Sequence, residues 1–326
     1  MFRFKNNFSN HLPVAKNMTA PGFGVYTPLV TYFHDDETLD LEITSQHALR
    51  MAHGGVTGFV LQGSNGEAPH LMHEERKDLV KSIRKTLDSS GHENITLIVG
   101  CGAPSVFETL VYIREAKECG ANFALLLPPS YWAAAMSSDV LEKFFSAVAA
   151  ETSLPFLIYN FPAVTAGIDM SSDLIRTLAT KFPGKIVGAK LTCGNLGKLQ
   201  RLAYPPLPGS FSVFAGKSDF FLPGLVAGSN GVIAALANLT PKAHVKMLQL
   251  YSSGSLKDAV ELQTKLSHAD WHLSKVGVAG VKAVVAEYFG YGSGKDRRPL
   301  GVFDIATLSE NSKQAFDCVV DIERSL

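Results

Sequence analysis

The chain has 326 residues, of which 46% are hydrophobic and 18% are charged, a balance that suits a sizeable buried core. Its 30 basic and 30 acidic residues cancel, so the overall charge points to neither nucleic acid nor a membrane surface as a partner. The sequence has no uninterrupted apolar run of the roughly 18–20 residues that a membrane-spanning helix needs.

The first segment, residues 1–21, is basic and aromatic, and the first acidic residue of the chain is Asp35. A frayed tail is the prediction, and a mitochondrial presequence is the alternative, for which the single arginine Arg3 is thin support. The cysteines show no paired spacing, which is typical of reduced thiols inside a cell. The expected location is therefore the cytoplasm, with the mitochondrion as the alternative.

Short apolar runs alternate with amphipathic helical segments from residue 22 onward. The predicted strands are Phe23–Pro28, Thr57–Gln62, Ile95–Cys101, Asn122–Leu127, Leu154–Asn160, Lys185–Lys190, Phe211–Gly216 and Gly231–Leu236. The clearest helical segments between them are Glu74–Leu87, Val106–Cys119, Asp139–Glu151 and Ser172–Lys181. This alternation predicts an α/β fold, a (β/α)8 TIM barrel. The alternative, a doubly wound open sheet, would usually bring a glycine-rich dinucleotide turn, which the sequence lacks.

The pattern after the last strand is wholly helical. Helices are predicted from Pro241 to about Ser252 and over Ser255–Leu266, Asp270–Phe289 and Ile305–Ser325. One helix closes a barrel, so the rest is expected to cover the barrel or to make subunit contacts. The predicted organisation is a tail at 1–21, a catalytic barrel at 22–253 and a C-terminal helical domain at 254–326.

The second predicted strand runs into the loop Gly63-Ser64-Asn65-Gly66-Glu67. Its glycines let the backbone approach a ligand, and Ser64 and Asn65 are suitable hydrogen-bond donors to a carboxylate. A plain turn is the alternative, because serine, asparagine and glycine are common in turns.

A metal site is the rival interpretation of the segment that follows this loop. Glu67, His70, His73 and Glu74 are residue types that bind divalent metals. The segment is expected to be a loop without the i, i+4 spacing of helical ligands, so no metal site is predicted.

Two tyrosines follow the ends of later strands. Tyr131 lies in a loop that Pro128 and Pro129 stiffen, where packing is the commoner role. Alternation places Tyr159 at the mouth of the barrel, beside the end of the sixth strand. A phenol in that position can move a proton, although a structural tyrosine is the default interpretation.

The sixth strand ends in Gly188-Ala189-Lys190, followed by Thr192. Alternation predicts that Ile186, Gly188 and Lys190 share one face, with space beneath the lysine stem at Gly188. A lysine that attacks carbonyls must be neutral, and a dry pocket disfavours its charged form. The alternative is an ordinary lysine that extends to water.

Taken together, the loops at the strand ends resemble the dihydrodipicolinate synthase / N-acetylneuraminate lyase superfamily. The motifs that carry this resemblance are Gly63-Ser64-Asn65-Gly66-Glu67, Pro128-Pro129-Ser130-Tyr131, Tyr159-Asn160-Phe161-Pro162, and Gly188-Ala189-Lys190 with Thr192 and Gly194-Asn195. Within the superfamily, Tyr159–Met170, Lys190–Lys198 and Asp270-Trp271 are most similar to fungal 2-keto-3-deoxy-L-galactonate (L-threo-3-deoxy-hexulosonate) aldolases. The chain also resembles 4-hydroxy-2-oxoglutarate aldolases.

The resemblance implies a pyruvate-binding homotetramer built from dimers, with no metal or organic cofactor. It implies that Lys190 forms an imine with a 2-oxo acid and that Tyr159 is the catalytic tyrosine. Tyr131 matches a tyrosine that relatives supply across the dimer interface. The substrate-binding residues that it implies are Ser64, Asn65, Thr192, Gly216 and Ile233.

The expected function is a class I aldolase that cleaves a 2-keto-3-deoxy sugar acid to pyruvate and an aldehyde such as L-glyceraldehyde. Related synthases carry an arginine after the Tyr-Asn-x-Pro turn that binds a second carboxylate, and residues 161–175 contain neither Arg nor Lys. This absence favours an uncharged aldehyde over aspartate semialdehyde, which carries a carboxylate. It also disfavours the dicarboxylate 4-hydroxy-2-oxoglutarate as a substrate, although less strongly. A metal-dependent lyase and a non-catalytic 2-oxo acid sensor are the alternatives of other classes.

Overall fold

The computed structural model describes residues 19–326, so most of the predicted tail lies outside the described residues. Eight parallel strands form a closed barrel in which each strand pairs with the next and the last returns to the first. The strands are β1 (Gly24–Pro28), β2 (Gly58–Leu61), β3 (Thr96–Gly100), β4 (Phe123–Leu126), β5 (Phe156–Asn160), β6 (Ile186–Leu191), β7 (Ser212–Ala215) and β8 (Gly231–Ile233). The predicted (β/α)8 TIM barrel is therefore confirmed.

Helices follow the strands and surround the barrel. They are α1 (Leu41–His53), α2 (His73–Ser89), α3 (Val106–Glu118), α4 (Ser138–Glu151), α5 (Ser172–Lys181), α6 (Leu196–Ala203), α7 (Phe221–Val226), α8 (Pro241–Ser252), α9 (Leu256–Phe289) and α10 (Glu310–Ser325). Polar side chains begin several of them at the expected capping positions. Ser105, Ser137 and Ser171 accept hydrogen bonds from backbone amides at the starts of α3, α4 and α5.

The strands separate two hydrophobic cores. Alternating side chains such as Tyr26, Phe123, Leu157 and Phe214 fill the inside of the barrel. The intervening residues pack outward against the helices and form the larger core. Because both faces of each strand are buried, the strands read in sequence as continuous apolar runs.

The strand that ends in Lys190 departs from simple alternation. Phe156 of β5 pairs with Ile186, but the next residue, Leu157, pairs with Gly188, so the register shifts by one residue at Val187. As a result, Val187 packs inside the barrel and Ile186 packs outside it. The prediction that Ile186 shares a face with Gly188 and Lys190 was wrong, because it assumed a strand without a bulge.

The C-terminal segment differs from its predicted helices in two respects. The last helix begins at Glu310 rather than at the predicted Ile305, because Ser309 caps its start by accepting a hydrogen bond from the Ser312 amide. The range α9 consists of two helical segments that meet at a kink, and the first continues through the predicted gap at 267–269, because Ser267-His268-Ala269 contains no helix breaker. The interruption lies at Gly277 instead, where φ is 67° and ψ is −167°. Glycine is the residue that adopts this backbone conformation readily.

The helix α9 belongs to the predicted C-terminal domain and packs against the loops after β7 and β8 of the barrel. The division at residues 253 and 254 stays a prediction. Across residues 19–326, no helix is both long enough and apolar enough to cross a membrane.

Candidate active site

A cavity of about 440 Å³ opens at the carboxyl ends of the barrel strands, between the strand-end loops and α9. Seven of the eight predicted site residues line it, and they are Ser64, Asn65, Tyr159, Lys190, Thr192, Gly216 and Ile233. These residues come from five different strands or their loops. The carboxyl end of the strands is the face where TIM barrels carry their active sites.

Lys190 is the most deeply placed basic group of this cavity. Its side chain belongs to β6 and the residue is only 3% exposed. The pairing of β5 with β6 sets Lys190 directly beside Tyr159, and the Lys190 Nζ atom lies 4.2 Å from the centre of the Tyr159 ring. An ordinary strand-end lysine would extend to water, which this one does not.

The space around Gly188 is filled, contrary to the expectation of a gap beneath the lysine. A Cβ atom at this position would lie 2.4 Å from the carbonyl oxygen of Ser212 and 3.2 Å from the Leu157 side chain. Glycine is therefore needed because the neighbouring strand approaches closely, and that close packing fixes the backbone from which Lys190 projects.

The loop after β2 brings neutral polar groups to the same cavity. The Ser64 hydroxyl lies 3.5 Å from the Tyr159 hydroxyl, at the edge of hydrogen-bond distance. Gln62 and Glu67 on either side of this loop have left-handed backbones, with φ of 54° and 52°. Non-glycine residues adopt this conformation at a cost, so contacts elsewhere must hold the loop in shape.

Thr192 adds an unsatisfied hydroxyl to the wall of the cavity. Its Oγ1 atom is buried and has no hydrogen-bond partner among residues 19–326. A Cβ atom at Gly216 would lie 2.3 Å from that oxygen, so only glycine fits opposite it. A buried hydroxyl of this kind is available to a bound ligand.

Tyr131 is the predicted site residue that the structure does not bring to the cavity. It is 79% exposed on the loop after β4 and packs edge-to-face on Trp132, with ring centres 4.9 Å apart. Trp132 is itself 70% exposed. Within one chain Tyr131 therefore contacts no group of the site, and a role across a subunit interface stays a prediction.

The four residues of the rival metal cluster face different partners. His73 contacts Glu115, with Nδ1 and Oε2 3.2 Å apart, and Glu74 pairs with Lys77 at 2.6 Å. His70 contacts Glu67, with Nδ1 and Oε2 3.0 Å apart. Within the described part of the chain, no three His, Cys, Asp or Glu side chains gather as a metal site would require.

Glu67 instead anchors the loop to the C-terminal segment through buried charges. Its carboxylate lies 2.5 Å from the Nζ atom of Lys282 in α9 and accepts a hydrogen bond of 3.0 Å from the Arg297 amide. Asp296 Oδ1 lies 2.9 Å from the same Nζ atom without a well-aligned hydrogen bond. All three charged side chains are almost fully buried, and burial raises the pKa of the Asp296 carboxyl to about 6.

Two charged residues that line the cavity were given no role in the site from the sequence, Lys217 after β7 and Asp270 in α9. Asp270 is 5% exposed, and burial raises the pKa of its carboxyl to about 6. The spacing of Asp270, Leu273, Ser274 and Gly277 places them on one helix face, which is a signal in the sequence. What the sequence lacks is any sign that this face covers the barrel.

Lys217 also corrects the argument from the missing arginine. Residues 161–175 contain no cation, but Lys217 brings one to the cavity from the loop after β7. The site therefore contains a second basic residue in addition to Lys190.

Comparisons with known protein families and sequences agree with this geometry. The model of the dihydrodipicolinate synthetase family matches residues 22–320. A protein of Emericella nidulans named "Probable 4-hydroxy-2-oxoglutarate aldolase, mitochondrial" is 42% identical over 306 residues, which cover 93% of this chain and 96% of that protein. The L-threo-3-deoxy-hexylosonate aldolase of Hypocrea jecorina is 39% identical over 314 residues, covering 93% of this chain and 98% of that enzyme.

Solved structures show the same architecture. A dihydrodipicolinate synthase family protein from Coccidioides immitis superposes with a TM-score of 0.84 at 37% identity, covering 95% of this chain and 99% of that one. The prophage protein YagE from E. coli K12, of the same family and solved in complex with pyruvate, gives a TM-score of 0.81 at 26% identity. That match covers 92% of this chain and 98% of YagE.

Proposed function

The chain belongs to the dihydrodipicolinate synthetase family, and from that premise we propose that it is a class I aldolase of 2-keto-3-deoxy sugar acids. Cleavage yields pyruvate and an aldehyde such as L-glyceraldehyde. The comparisons confirm the family and the aldolase class expected from the sequence. The proposed substrate class agrees with the name of the Hypocrea jecorina relative, an L-threo-3-deoxy-hexylosonate aldolase.

One observation carries the proposal: the buried amine of Lys190 lies against Tyr159 in the cavity that Ser64 and Asn65 also line. An imine-forming enzyme needs an amine shielded from water, a proton carrier and a group that orients the substrate. A non-catalytic sensor would need only the last of these.

The proposed reaction begins when the Lys190 amine attacks the 2-oxo carbon and water leaves, which gives a protonated imine. Ser64 and Asn65 hold the carboxylate, and Thr192 donates its free hydroxyl to the bound acid. Tyr159, which has given its own proton to the hydroxyl group that leaves as water, then takes the proton from the C4 hydroxyl as the C3–C4 bond breaks. The electron pair of that bond passes to the imine, which becomes an enamine. Protonation at C3 and hydrolysis release pyruvate and free Lys190.

The 4-hydroxy-2-oxoglutarate aldolase activity is the second candidate, and Lys217 is the observation that favours it. Cleavage of that substrate gives glyoxylate, whose carboxylate would gain a charge-assisted contact from a cation in the cavity. The relative of Emericella nidulans carries this activity in its name.

The quaternary structure belongs to the same proposal. We infer that the enzyme works as a homotetramer or dimer in which the partner's Tyr131 completes the proton path. The exposure of Tyr131 and Trp132 on one loop supports this arrangement, because a large exposed aromatic pair is suited to an interface. A cytoplasmic location is proposed, with the mitochondrion as the alternative.

A substrate panel tests the proposed function directly. Pyruvate release is measured with 2-keto-3-deoxy-L-galactonate, its stereoisomers and 4-hydroxy-2-oxoglutarate. We expect the highest kcat/KM with a 2-keto-3-deoxy sugar acid. A preference for 4-hydroxy-2-oxoglutarate would establish the second candidate, and no pyruvate from any of them would refute both.

A further inference from the structure

The helix α9 forms one wall of the active-site cavity with a single face. Asp270, Leu273, Ser274, Gly277 and Val278 follow the spacing of that face and all line the cavity. Among residues 19–326, Asp270 is the one acidic residue that lines the cavity, and it is almost fully buried. A buried carboxylate beside a substrate cavity needs an explanation, because burial without a use costs stability.

The position of Asp270 is fixed by the loop after β7. The backbone amide of Asp219 donates a hydrogen bond of 3.2 Å to its Oδ2 atom. The Gln263 side chain, also on α9, donates to the carbonyl oxygens of Ser218 and Asp219 at 2.9 and 3.0 Å. These contacts lock the helix to the loop, and a carboxylate with one such bond keeps lone pairs for further donors.

Asp270 shares the cavity with a single free cation outside the imine position, Lys217, as far as residues 19–326 show. The two charges have opposite preferences for a ligand. A carboxylate accepts hydrogen bonds from hydroxyl groups and repels another carboxylate, whereas an ammonium attracts one.

We propose that Asp270 is the specificity-determining residue of the aldehyde half of the site. Its carboxylate accepts a hydrogen bond from a hydroxyl of a polyol aldehyde and disfavours an aldehyde that carries a carboxylate. Lys217 acts in the opposite direction, so the pair sets the balance between sugar-acid and dicarboxylate substrates. This inference rests on the proposed aldolase function and adds to it the group that recognises the substrate's hydroxyls.

The test uses the condensation of pyruvate with two aldehydes, L-glyceraldehyde and glyoxylate. Asp270→Asn keeps the shape but removes the charge, so the ratio of kcat/KM for glyceraldehyde to that for glyoxylate should fall about 10-fold or more. Asp258→Asn, the same change at an exposed position of α9, should leave the ratio unchanged. Lys217→Met should move the ratio in the opposite direction, which a merely structural disturbance would not do.

Borohydride trapping of the pyruvate imine in each variant separates this inference from the proposed function. Intact trapping together with an unchanged ratio in Asp270→Asn would overturn the inference alone. Absence of trapping in the wild-type protein would instead refute the aldolase proposal. A ratio that rises in Asp270→Asn, or falls in Lys217→Met, would also overturn the inference.

Discussion

At the scale of single residues, the site depends on one contact between β5 and β6. Tyr159 and Lys190 are paired residues of adjacent strands, so the barrel itself brings the phenol beside the amine. The Ser64 hydroxyl completes a short row of polar groups at the strand ends. A tyrosine held by strands rather than by a loop keeps its geometry without the help of substrate.

Changing Tyr159 to Phe should lower kcat about 10²–10⁴-fold, because the ring keeps its packing while the proton carrier is lost. Trapping of the pyruvate imine by borohydride should remain detectable, since Lys190 is untouched. Tyr204→Phe, at an exposed position, serves as the matched control. Near-normal turnover of Tyr159→Phe would mean that the tyrosine is only structural.

The buried carboxyl of Asp270 should make the free energy of unfolding depend on pH. Burial raises its pKa in the folded protein to about 6 from an ordinary value of 3.8, against the opposing effects of the hydrogen bond from the Asp219 backbone amide and of the charge of Lys217. The folded state therefore holds its proton longer than the unfolded state does. Stability from this group is fully present below pH 3.8 and is lost as the pH rises through 6.

Asp270→Asn should consequently be more stable than the wild-type protein at pH 8, by about 1–3 kcal/mol. The difference should shrink as the pH falls and disappear near pH 4. Urea unfolding of both proteins at several pH values measures it. A variant that is less stable than wild type at pH 8 would show that Asp270 is a net stabilising group, contrary to this account.

Lys190, Tyr159, Ser64 and Asn65 were candidates in the sequence because each stands where an apolar strand ends, and the family resemblance implied their roles. Asp270 escaped because it belongs to a helix, and helical periodicity gives a face without saying what that face covers. Lys217 escaped because no feature of its neighbours distinguishes it from a solvated lysine.

At the scale of elements, the helix α9 holds the loop after β2 in place through buried charges. Lys282 lies between Glu67 and Asp296, and Glu67 has a left-handed backbone within that loop. This contact joins residues that are far apart in the sequence, Glu67 after the second strand and Lys282 in α9. It explains how a strained loop that carries Ser64 and Asn65 keeps its shape.

Changing Lys282 to Met should destabilise the protein by about 3–5 kcal/mol, because two buried carboxylates lose their counter-ion. It should also raise the KM for pyruvate, since the loop that holds the carboxylate is loosened. Lys295→Met, which removes an exposed pair with Asp35, should cost about 0–1 kcal/mol. Equal losses of stability in the two variants would contradict the anchoring role of Lys282.

The apolar pattern of the sequence predicts the strands and helices but not how neighbouring strands pair. Apolar runs gave every strand, but the bulge at Val187 arises from pairing with Phe156 and Leu157, which no local signal records. The continuity of α9 was predictable from the absence of a breaker at 267–269, and its interruption from Gly277.

At the scale of the whole molecule, the alternation of apolar runs and helices was enough to predict the barrel. Parallel strands joined by helices leave few alternatives, and the chain closes β8 onto β1. The proposed assembly is different, because a surface for a second copy would leave no periodic pattern in the sequence. The exposed pair Tyr131 and Trp132 is the strongest pointer to it.

If the partner's Tyr131 completes each site, activity should require at least a dimer. Tyr131→Phe should lower kcat and leave the oligomeric state unchanged, since the ring that packs on Trp132 is kept. Sedimentation at the concentration of the assay measures the second property. A fully active monomer would contradict a shared active site.

The most direct test of the central claim is the covalent trapping of pyruvate. The protein is incubated with pyruvate and sodium borohydride, digested, and analysed by peptide mass spectrometry, with Lys190→Ala as the control. We expect loss of activity and the mass of one reduced pyruvyl group on the peptide that contains Lys190. Modification of a different lysine, or inactivation without any modification, would contradict it.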